Sequence, residues 1–485
     1  MIKKLKSFLF ENKSEKQVFL KNTFWLTAGN VSSRFIRALM IIYAARVLGT
    51  AGYGIFSYVL SLAGFFTMFS DFGLTGLLTR ELVQKPAEVQ RYIATTLRIK
   101  LVITFLSVLV TLFAAPLFIT IDAARPLLPI VAVLLAFDGL RGFMFSITRA
   151  KNRMEIESGL SVTTDLLITG LGFAALFIRP TAEWLAIAYT AGSGLGFLIV
   201  FIIIHKWAGG LMQGFDRKLV KPLLFSAWPF AVMGLLGGLM INIDTIIIGW
   251  FRSADELGLY GAAQRPVQLF YLFPAFASTS LFPLFSKYAR EKNHERMRHT
   301  LERAITGVFA AALPLTIGGV LLGQPVVQLI FGAQYLGATL TFQLLLTTVL
   351  TIFPGTVIGN AIFAYDAQKI FLKSVGWGAL INVVLDLLFI PPYGIAGSAV
   401  ATIIAQIVAN GYVWMKLRQI ISFKTFPFLG KITLASLGMG IAVWGLTLLH
   451  WNVIPIVALG IGVYAALLYA LKEPLLQMIG VHRSR

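Results

Sequence analysis

Residues 183–206 read EWLAIAYTAGSGLGFLIVFIIIHK, and stretches of this kind decide the class of fold. Between Glu183 and His205 the segment carries no charged side chain. An α-helix of ~20 apolar residues spans the hydrocarbon core of a bilayer. We therefore interpret residues 183–206 as a transmembrane helix.

Similar stretches recur along the whole chain of 485 residues, which is 57% hydrophobic and 13% charged. Soluble domains carry about 25% charged residues, so this chain has about half the usual share. The predicted fold class is an all-α integral membrane protein with fourteen transmembrane helices. They are expected at 21–46, 53–79, 93–119, 126–148, 154–178, 183–206, 221–250, 256–286, 301–331, 337–364, 370–390, 395–417, 427–449 and 453–471.

This layout excludes several classes of protein. Fourteen helices leave no room for a soluble domain, and the chain has no G-x-x-x-x-G-K-[ST] motif, so an extramembrane ATPase module is excluded. The chain has no Cys, which excludes structural disulfides and Cys-ligated metal centres.

The net charge of +20 comes from basic residues concentrated in alternate loops. One set of loops, with the two ends, holds 33 of the 41 Lys and Arg residues; the opposite set holds Arg46, Arg125, Arg179 and Arg252. The positive-inside rule places the first set and both termini in the cytoplasm. The charge thus predicts orientation in a bacterial or archaeal cytoplasmic membrane, and nucleic acid is not an expected partner.

A weak internal repeat predicts the domain organisation. RVLGTAGYGIF from Arg46 is similar to SADELGLYGAA from Ser253, at an offset of 207 residues that is close to a six-helix unit. We expect an N-terminal lobe with helices 1–6 at 1–217 and a second lobe with helices 7–12 at 218–424. Helices 13 and 14 and a cytoplasmic tail are expected at 425–485.

Several ionisable side chains fall inside the predicted spans. Each costs at least ~2.5 to 3.5 kcal/mol at mid-membrane on insertion scales, so each predicts a partner or a water-filled cavity. Arginine remains protonated and presents a planar fork that suits phosphate. The candidate ligands for an anion of the phosphate type are Arg34, Arg37, Arg141 and Arg265. Mutual structural salt bridges are the alternative.

The acids of the first lobe supply candidate partners. Asp138 and Arg141 are three residues apart on one predicted helix, so they are expected to neutralise each other. Asp71 opens the sequence Asp-Phe-Gly-Leu, where the helix is expected to break, and could pair with Arg34 or Arg37. Asp165 is expected to hydrogen-bond to neighbouring helices.

A second polar cluster is predicted in the second lobe. Asn382 and Asp386 are four residues apart on one helix, and with Asp244 and Thr402 they offer oxygen ligands. These atoms suit Na⁺, and Asp244 or Asp386 could instead carry a proton. The alternative is a structural polar cluster joining three helices. A transition metal is not expected, because none of the five His residues clusters with a carboxylate, and no other cofactor is predicted.

Three motifs resemble a known family of transporters. They are RVLGTAGYGIFSYVLSLAGFFTMFSDFGLTGLLTRE from Arg46, YGAAQRPVQLF from Tyr260 and INVVLDLLFIPPYGIAGSAVATIIAQ from Ile381. The chain is similar to the polysaccharide flippases of the multidrug/oligosaccharidyl-lipid/polysaccharide exporter superfamily. The middle motif is also similar to lipid II flippases.

The resemblance implies two pseudo-symmetric six-helix lobes that form a V-shaped cavity, with two extra C-terminal helices. It implies export of undecaprenyl-diphosphate oligosaccharide by alternating access, for the assembly of cell-surface polysaccharides. The implied partners are membrane lipids and a glycan polymerase or other assembly proteins. Lipid II flippases have cavity arginines that Arg34 or Arg37 and Arg265 match. They bind Na⁺ through residues that Asp244, Asn382, Asp386 and Thr402 match.

Other functions would place different demands on the sequence. A lipid II-type flippase and a multidrug cation antiporter of the sister branch are the alternatives, although three cavity arginines disfavour the antiporter. A membrane glycosyl polymerase or ligase needs a large extracytoplasmic loop for its catalytic residues, and every such loop here is short. A membrane scaffold would not need a costly set of buried charges, so we expect a transporter and not an enzyme.

Overall fold

The computed structural model describes residues 15–424, 429–449 and 451–473. All regular structure in these residues is helical, without a strand. Eleven segments among them are long and apolar enough to cross a membrane, which confirms the all-α membrane class. Residues 427 and 428, at the start of predicted helix 13, and the predicted tail beyond 473 lie outside the described residues.

Within the described residues sixteen α-helices follow one another, and short 3₁₀ or π turns lie between some of them. The first seven are α1 Glu15–Asp71, α2 Leu74–Gln84, α3 Val89–Leu109, α4 Leu128–Ala150, α5 Met154–Ile178, α6 Ala182–Ala208 and α7 Arg217–Phe251. The next five are α8 Ala254–Phe270, α9 Leu272–Arg290, α10 His294–Leu321, α11 Gly323–Phe331 and α12 Thr339–Thr347. The last four are α13 Val349–Ala364, α14 Gln368–Ile420, α15 Gly430–Leu448 and α16 Val453–Ala470.

Two helices are far longer than one bilayer crossing. α1 has 57 residues and α14 has 53, and at ~1.5 Å per residue each is more than twice as long as a ~30 Å hydrocarbon core is thick. Each contains one non-helical residue, Gly49 (φ 70°, ψ −179°) and Gly394 (φ 60°, ψ −143°). These angles are accessible to glycine and strained for other residues. The structure thus replaces two predicted loops with single-residue breaks.

A further break divides predicted helix 53–79. α1 ends at Asp71, Phe72 (φ 44°) and Gly73 (φ 71°) have left-handed backbones, and α2 begins at Leu74. The break expected at the Asp-Phe-Gly-Leu sequence is therefore confirmed.

Close contacts divide the chain into two compact units, 1–258 and 259–485. Helix α7 lies in the first unit. The lobe boundaries at 217 and 424 were inferred from a repeat in the sequence rather than from contacts, and they stay predictions.

Each unit has its own apolar core. In the first unit α2 packs against α4 and α7, with Leu77, Phe143 and Ala227 fully buried in one cluster. In the second unit α15 packs against α10 and α16, and Met439 and Ile456 lie in their common core. The two predicted C-terminal helices are thus held to the rest of their unit by α10.

The two motifs aligned in the repeat contact each other within the first unit. A Cβ atom at Gly54 would clash with the carbonyl oxygen of Ala254, and one at Gly258 would clash with the carbonyl oxygen of Thr50. The hydroxyl of Thr50 also donates a hydrogen bond to the carboxylate of Asp255. Glycine is required at both positions because the two backbones approach each other so closely.

Candidate functional site

Arg37 joins three helices of the first unit. Its Nη2 lies 2.6 Å from Oδ1 of Asp165 on α5, and its Nη1 donates to the hydroxyl of Tyr189 on α6 at 3.1 Å. The side chain of Asp165 is 2% exposed, whereas that of Arg37 is 38% exposed. The buried acid therefore holds an arginine whose side chain stays partly accessible.

Arg141 belongs to a second polar cluster in the same unit. Its Nη2 lies 2.7 Å from Oδ1 of Asp138, and its Nη1 donates to Oγ of Ser193 at 2.8 Å. Ser193 in turn donates to Oδ1 of Asp138 at 2.6 Å. The expected pairing of Asp138 with Arg141 is confirmed, and α6 supplies the third member.

Asp71 does not pair with Arg34 or Arg37, so that expectation was wrong. Its Oδ1 lies 3.1 Å from Nζ of Lys100, and Nζ also donates to the carbonyl oxygen of Ser70 at 2.8 Å. Lys100 is fully buried. Lys100 lies on α3, which begins eleven residues earlier at Val89, and it was not among the expected partners of Asp71.

Arg34 and Arg265 differ from Arg37 and Arg141. Arg34 is exposed and Arg265 is half-buried, and neither forms an ion pair with any residue that the structure describes. Arg34 is in the first unit and Arg265 in the second. Arg37 and Arg141 are each paired with an acid. The positive charge of Arg34 lies within a membrane span and is not neutralised by a salt bridge to any described acid.

The predicted ion ligands are mostly buried. Asp244 on α7 in the first unit is 1% exposed. In the second unit Nδ2 of Asn382 donates to Oδ2 of Asp386 at 3.3 Å, and both side chains are buried. Oγ1 of Thr402 donates to the carbonyl oxygen of Ser398. The structure thus brings Asn382 and Asp386 together, as their spacing on one helix predicted.

The predicted ion ligands offer oxygen atoms from carboxylate, amide and hydroxyl groups. Within the described part of the chain there is no group of three or more His, Cys, Asp or Glu residues that could hold a metal ion. Carboxylate, amide and hydroxyl oxygens are the donors expected for a hard cation such as Na⁺. These residue types are therefore compatible with Na⁺ or a proton.

The fold and these intramembrane charges define a multi-span membrane protein with ionisable groups inside its spans, and its family follows from sequence comparison. Residues 19–289 match the family described as "Polysaccharide biosynthesis protein". That match covers more than half of the chain, so the chain belongs to this family. Residues 229–388 also match the MatE family. The predicted resemblance to the polysaccharide flippases is confirmed.

Named relatives match most of the chain. It is 22% identical over 457 residues to the "Probable low-salt glycan biosynthesis flippase Agl15" of Haloferax volcanii, covering 91% of this chain and 93% of that protein. It is also 23% identical to the "Succinoglycan biosynthesis transport protein ExoT" of Rhizobium meliloti, covering 86% and 83%.

Solved structures show the same fold. The lipid II flippase MurJ in an inward closed conformation superposes with a TM-score of 0.78 at 18% identity, covering 93% of this chain and 99% of that one. An inward-facing multidrug resistance transporter of the MATE family gives a TM-score of 0.62 at 15% identity, covering 86% and 97%. The fold is therefore that of MurJ and the MATE transporters.

Proposed function

We propose that this protein is a flippase that moves an undecaprenyl-diphosphate-linked oligosaccharide from the cytoplasmic to the outer leaflet. The supporting observation is the presence of arginines inside the membrane spans of a chain of the polysaccharide biosynthesis family. Two of them, Arg34 and Arg265, form no ion pair with described residues. The glycan would serve cell-surface polysaccharide assembly, with a polymerase or other assembly proteins acting on the exported product.

The proposed topology has fourteen crossings. α1 and α14 would each cross twice, because each is about two bilayer thicknesses long and is broken at one glycine. α8 and α9 together would supply one further crossing. Both termini would be cytoplasmic, and two six-helix lobes would enclose a cavity that opens to each side in turn.

The diphosphate would bind to arginines. Arg34, Arg37 and Arg265 each keep part of the side chain accessible, and a guanidinium can give two parallel hydrogen bonds to one phosphate group. Arg141 is only 15% exposed and already bonded to Asp138 and Ser193, so its contribution would be chiefly electrostatic.

The coupling ion would bind to Asp244, Asn382, Asp386 and Thr402. Asp386 is buried beside the amide of Asn382, and a buried carboxylate is costly unless a cation or a proton offsets its charge. Na⁺ and H⁺ are the two proposed ions.

Transport in proteoliposomes tests the proposal. The substrate is undecaprenyl-diphosphate oligosaccharide, and the readout is the fraction of glycan that becomes accessible to an impermeant lectin. Arg34→Gln and Arg265→Gln should each slow transport at least about tenfold, because each removes a charge-assisted contact. Arg179→Gln, an exposed arginine in a loop, is the matched control and should transport at the wild-type rate.

A lipid II-type substrate is the second candidate, since the fold matches MurJ. Adding lipid II to the same proteoliposomes separates the two. Transport of lipid II together with no transport of the oligosaccharide would replace the first proposal. Wild-type transport by an Arg34→Gln, Arg265→Gln double variant would refute the diphosphate site.

A further inference from the structure

A recess of about 660 Å³ lies at the beginning of α7, in the first unit. Its lining combines two cations with aromatic and aliphatic side chains: Phe215, Arg217, Val220, Lys221, Leu224 and Phe225. We name these six residues the α7 recess. None of them belongs to the proposed diphosphate or ion sites.

The helical residues of the α7 recess share one face of α7. From Arg217 the others lie three, four, seven and eight positions along, a spacing that places side chains on the same side of a helix. The two cations come first, and Leu224 and Phe225 lie one to two turns further along. The ring of Phe225 is 77% exposed, and Trp228 extends the apolar face with an exposure of 53%.

The cations of the recess are not neutralised by the acid next to them. The carboxylate of Asp216 binds Arg91 through Nε at 2.8 Å and through Nη2, and it also accepts the backbone N–H of Lys218. These bonds hold the pKa of Asp216 below its usual range. Arg217 and Lys221 form no ion pair with the described residues.

A third cation, Arg98, contacts the aromatic ring of Phe215 in the recess. The guanidinium of Arg98 on α3 stacks on the ring of Phe215, 4.3 Å from its centroid. This contact holds Phe215 beside Arg217 and adds positive charge. The recess is therefore cationic at the end of the span and apolar toward its middle.

We propose that the α7 recess binds an anionic phospholipid of the surrounding membrane. The phosphate would lie between Arg217 and Lys221, and one acyl chain would run along Leu224, Phe225 and Trp228. Two observations support this assignment. The cations of the recess complement a negatively charged phosphate, and along α7 they are followed by apolar side chains, just as the phosphate of a phospholipid is followed by its acyl chains. The site goes beyond the proposed transport function and does not depend on it.

Native mass spectrometry of the purified full chain tests the site. Dioleoyl phosphatidylglycerol is titrated in detergent, with dioleoyl phosphatidylcholine as the zwitterionic probe of equal chain length. The wild type should retain one phosphatidylglycerol at least about tenfold more tightly than phosphatidylcholine, since each basic residue near a membrane surface favours anionic lipid by about 1 kcal/mol.

Two matched double variants isolate the recess. Arg217→Gln with Lys221→Gln should weaken phosphatidylglycerol binding about tenfold or more. Arg290→Gln with Lys292→Gln removes the same residue types from an exposed segment of the second unit and should leave binding unchanged. The charge-preserving exchange Arg217→Lys with Lys221→Arg should restore binding to near the wild-type affinity.

Phe225→Ser removes the exposed ring and should weaken the phospholipid about tenfold through lost apolar burial, and it leaves both cations in place. The proposal would be overturned if both double glutamine variants lost the same phosphatidylglycerol affinity. It would also be overturned if the wild type bound both phospholipids equally well. Displacement by inorganic phosphate would make the site one for a free anion. Stoichiometric displacement by undecaprenyl diphosphate would assign the recess to the transported lipid instead.

Discussion

At the scale of single residues, the membrane spans of the first unit hold bases and acids in specific pairs. Arg37 is bound to Asp165, Arg141 to Asp138, and Lys100 to Asp71. Breaking one member of such a pair leaves a buried charge without its partner. Removal of one member of a pair should therefore destabilise the fold, and the accessible part of the Arg37 side chain remains available to an anion.

The two roles of Arg37 can be separated by a pair of variants. Arg37→Gln should lower the stability by about 2 kcal/mol, less than the 3–5 kcal/mol of a fully buried pair because Arg37 is partly exposed. Adding Asp165→Asn removes the orphaned acid, so the double variant should recover most of the melting temperature. Transport should remain lost in both variants.

The readouts are thermal melting in detergent and transport in proteoliposomes. Arg34→Gln is the control, since Arg34 forms no ion pair with described residues, and its melting temperature should stay close to that of the wild type. Recovery of transport in the Arg37→Gln, Asp165→Asn double variant would show that Arg37 acts only in the fold.

At the scale of helices, single residues decide where a span ends. Gly49 and Gly394 interrupt otherwise continuous helices with angles that other residues reach only with strain. The break after Asp71 adds a left-handed Phe72 and Gly73, and the bond from Lys100 to Ser70 lies directly before it. In the proposed topology these short breaks would let consecutive spans reverse direction with almost no loop between them.

The break in α14 supplies a prediction within one helix. Gly394→Ala should lower the stability by about 1–3 kcal/mol, because alanine is strained at a φ of 60°. Gly411→Ala is the matched control in the same helix, where a Cβ atom would meet no atom within 4 Å. It should leave the stability unchanged or raise it by up to about 1 kcal/mol.

Thermal melting of both alanine variants beside the wild type checks this prediction. Equal melting temperatures for Gly394→Ala and Gly411→Ala would mean that the backbone at residue 394 relaxes to a helical conformation. In that case the division of α14 into two crossings would lose its support.

At the scale of the whole molecule, the proposed coupling ion adds to the stability of the folded chain. Its proposed ligands are Asp244, Asn382, Asp386 and Thr402. An ion that binds only the folded chain stabilises it by RT ln(1 + [Na⁺]/Kd). The stability of the molecule should therefore report on the ion.

The expected result is a melting temperature that rises when Na⁺ replaces K⁺ at constant ionic strength. Asp386→Asn should abolish this rise, because it removes one charged ligand. Asp138→Asn is the control, since Asp138 binds Arg141 and is not one of the proposed ion ligands, and it should keep the Na⁺ response. A wild type that responds to pH and not to Na⁺ would assign the site to a proton.

The sequence by itself determined the class of the protein and its family. Apolar runs identify membrane helices without tertiary information, because the bilayer thickness sets their length. The motif from Arg46 identified the polysaccharide flippases. The pair of Asp138 with Arg141 was predictable too, since residues three apart on a helix lie on one face whatever the rest of the chain does.

The tertiary structure decided which charges meet across helices. Arg37 and Asp165 are 128 residues apart in the sequence, and Lys100 and Asp71 are 29 apart. The sequence alone offered several acids as the partner of each base. The choice depends on which helix faces pack together and on where each helix begins. The α7 recess has the same origin: Arg98 and Phe215 meet because α3 lies beside α7, a proximity that no local pattern in the sequence encodes.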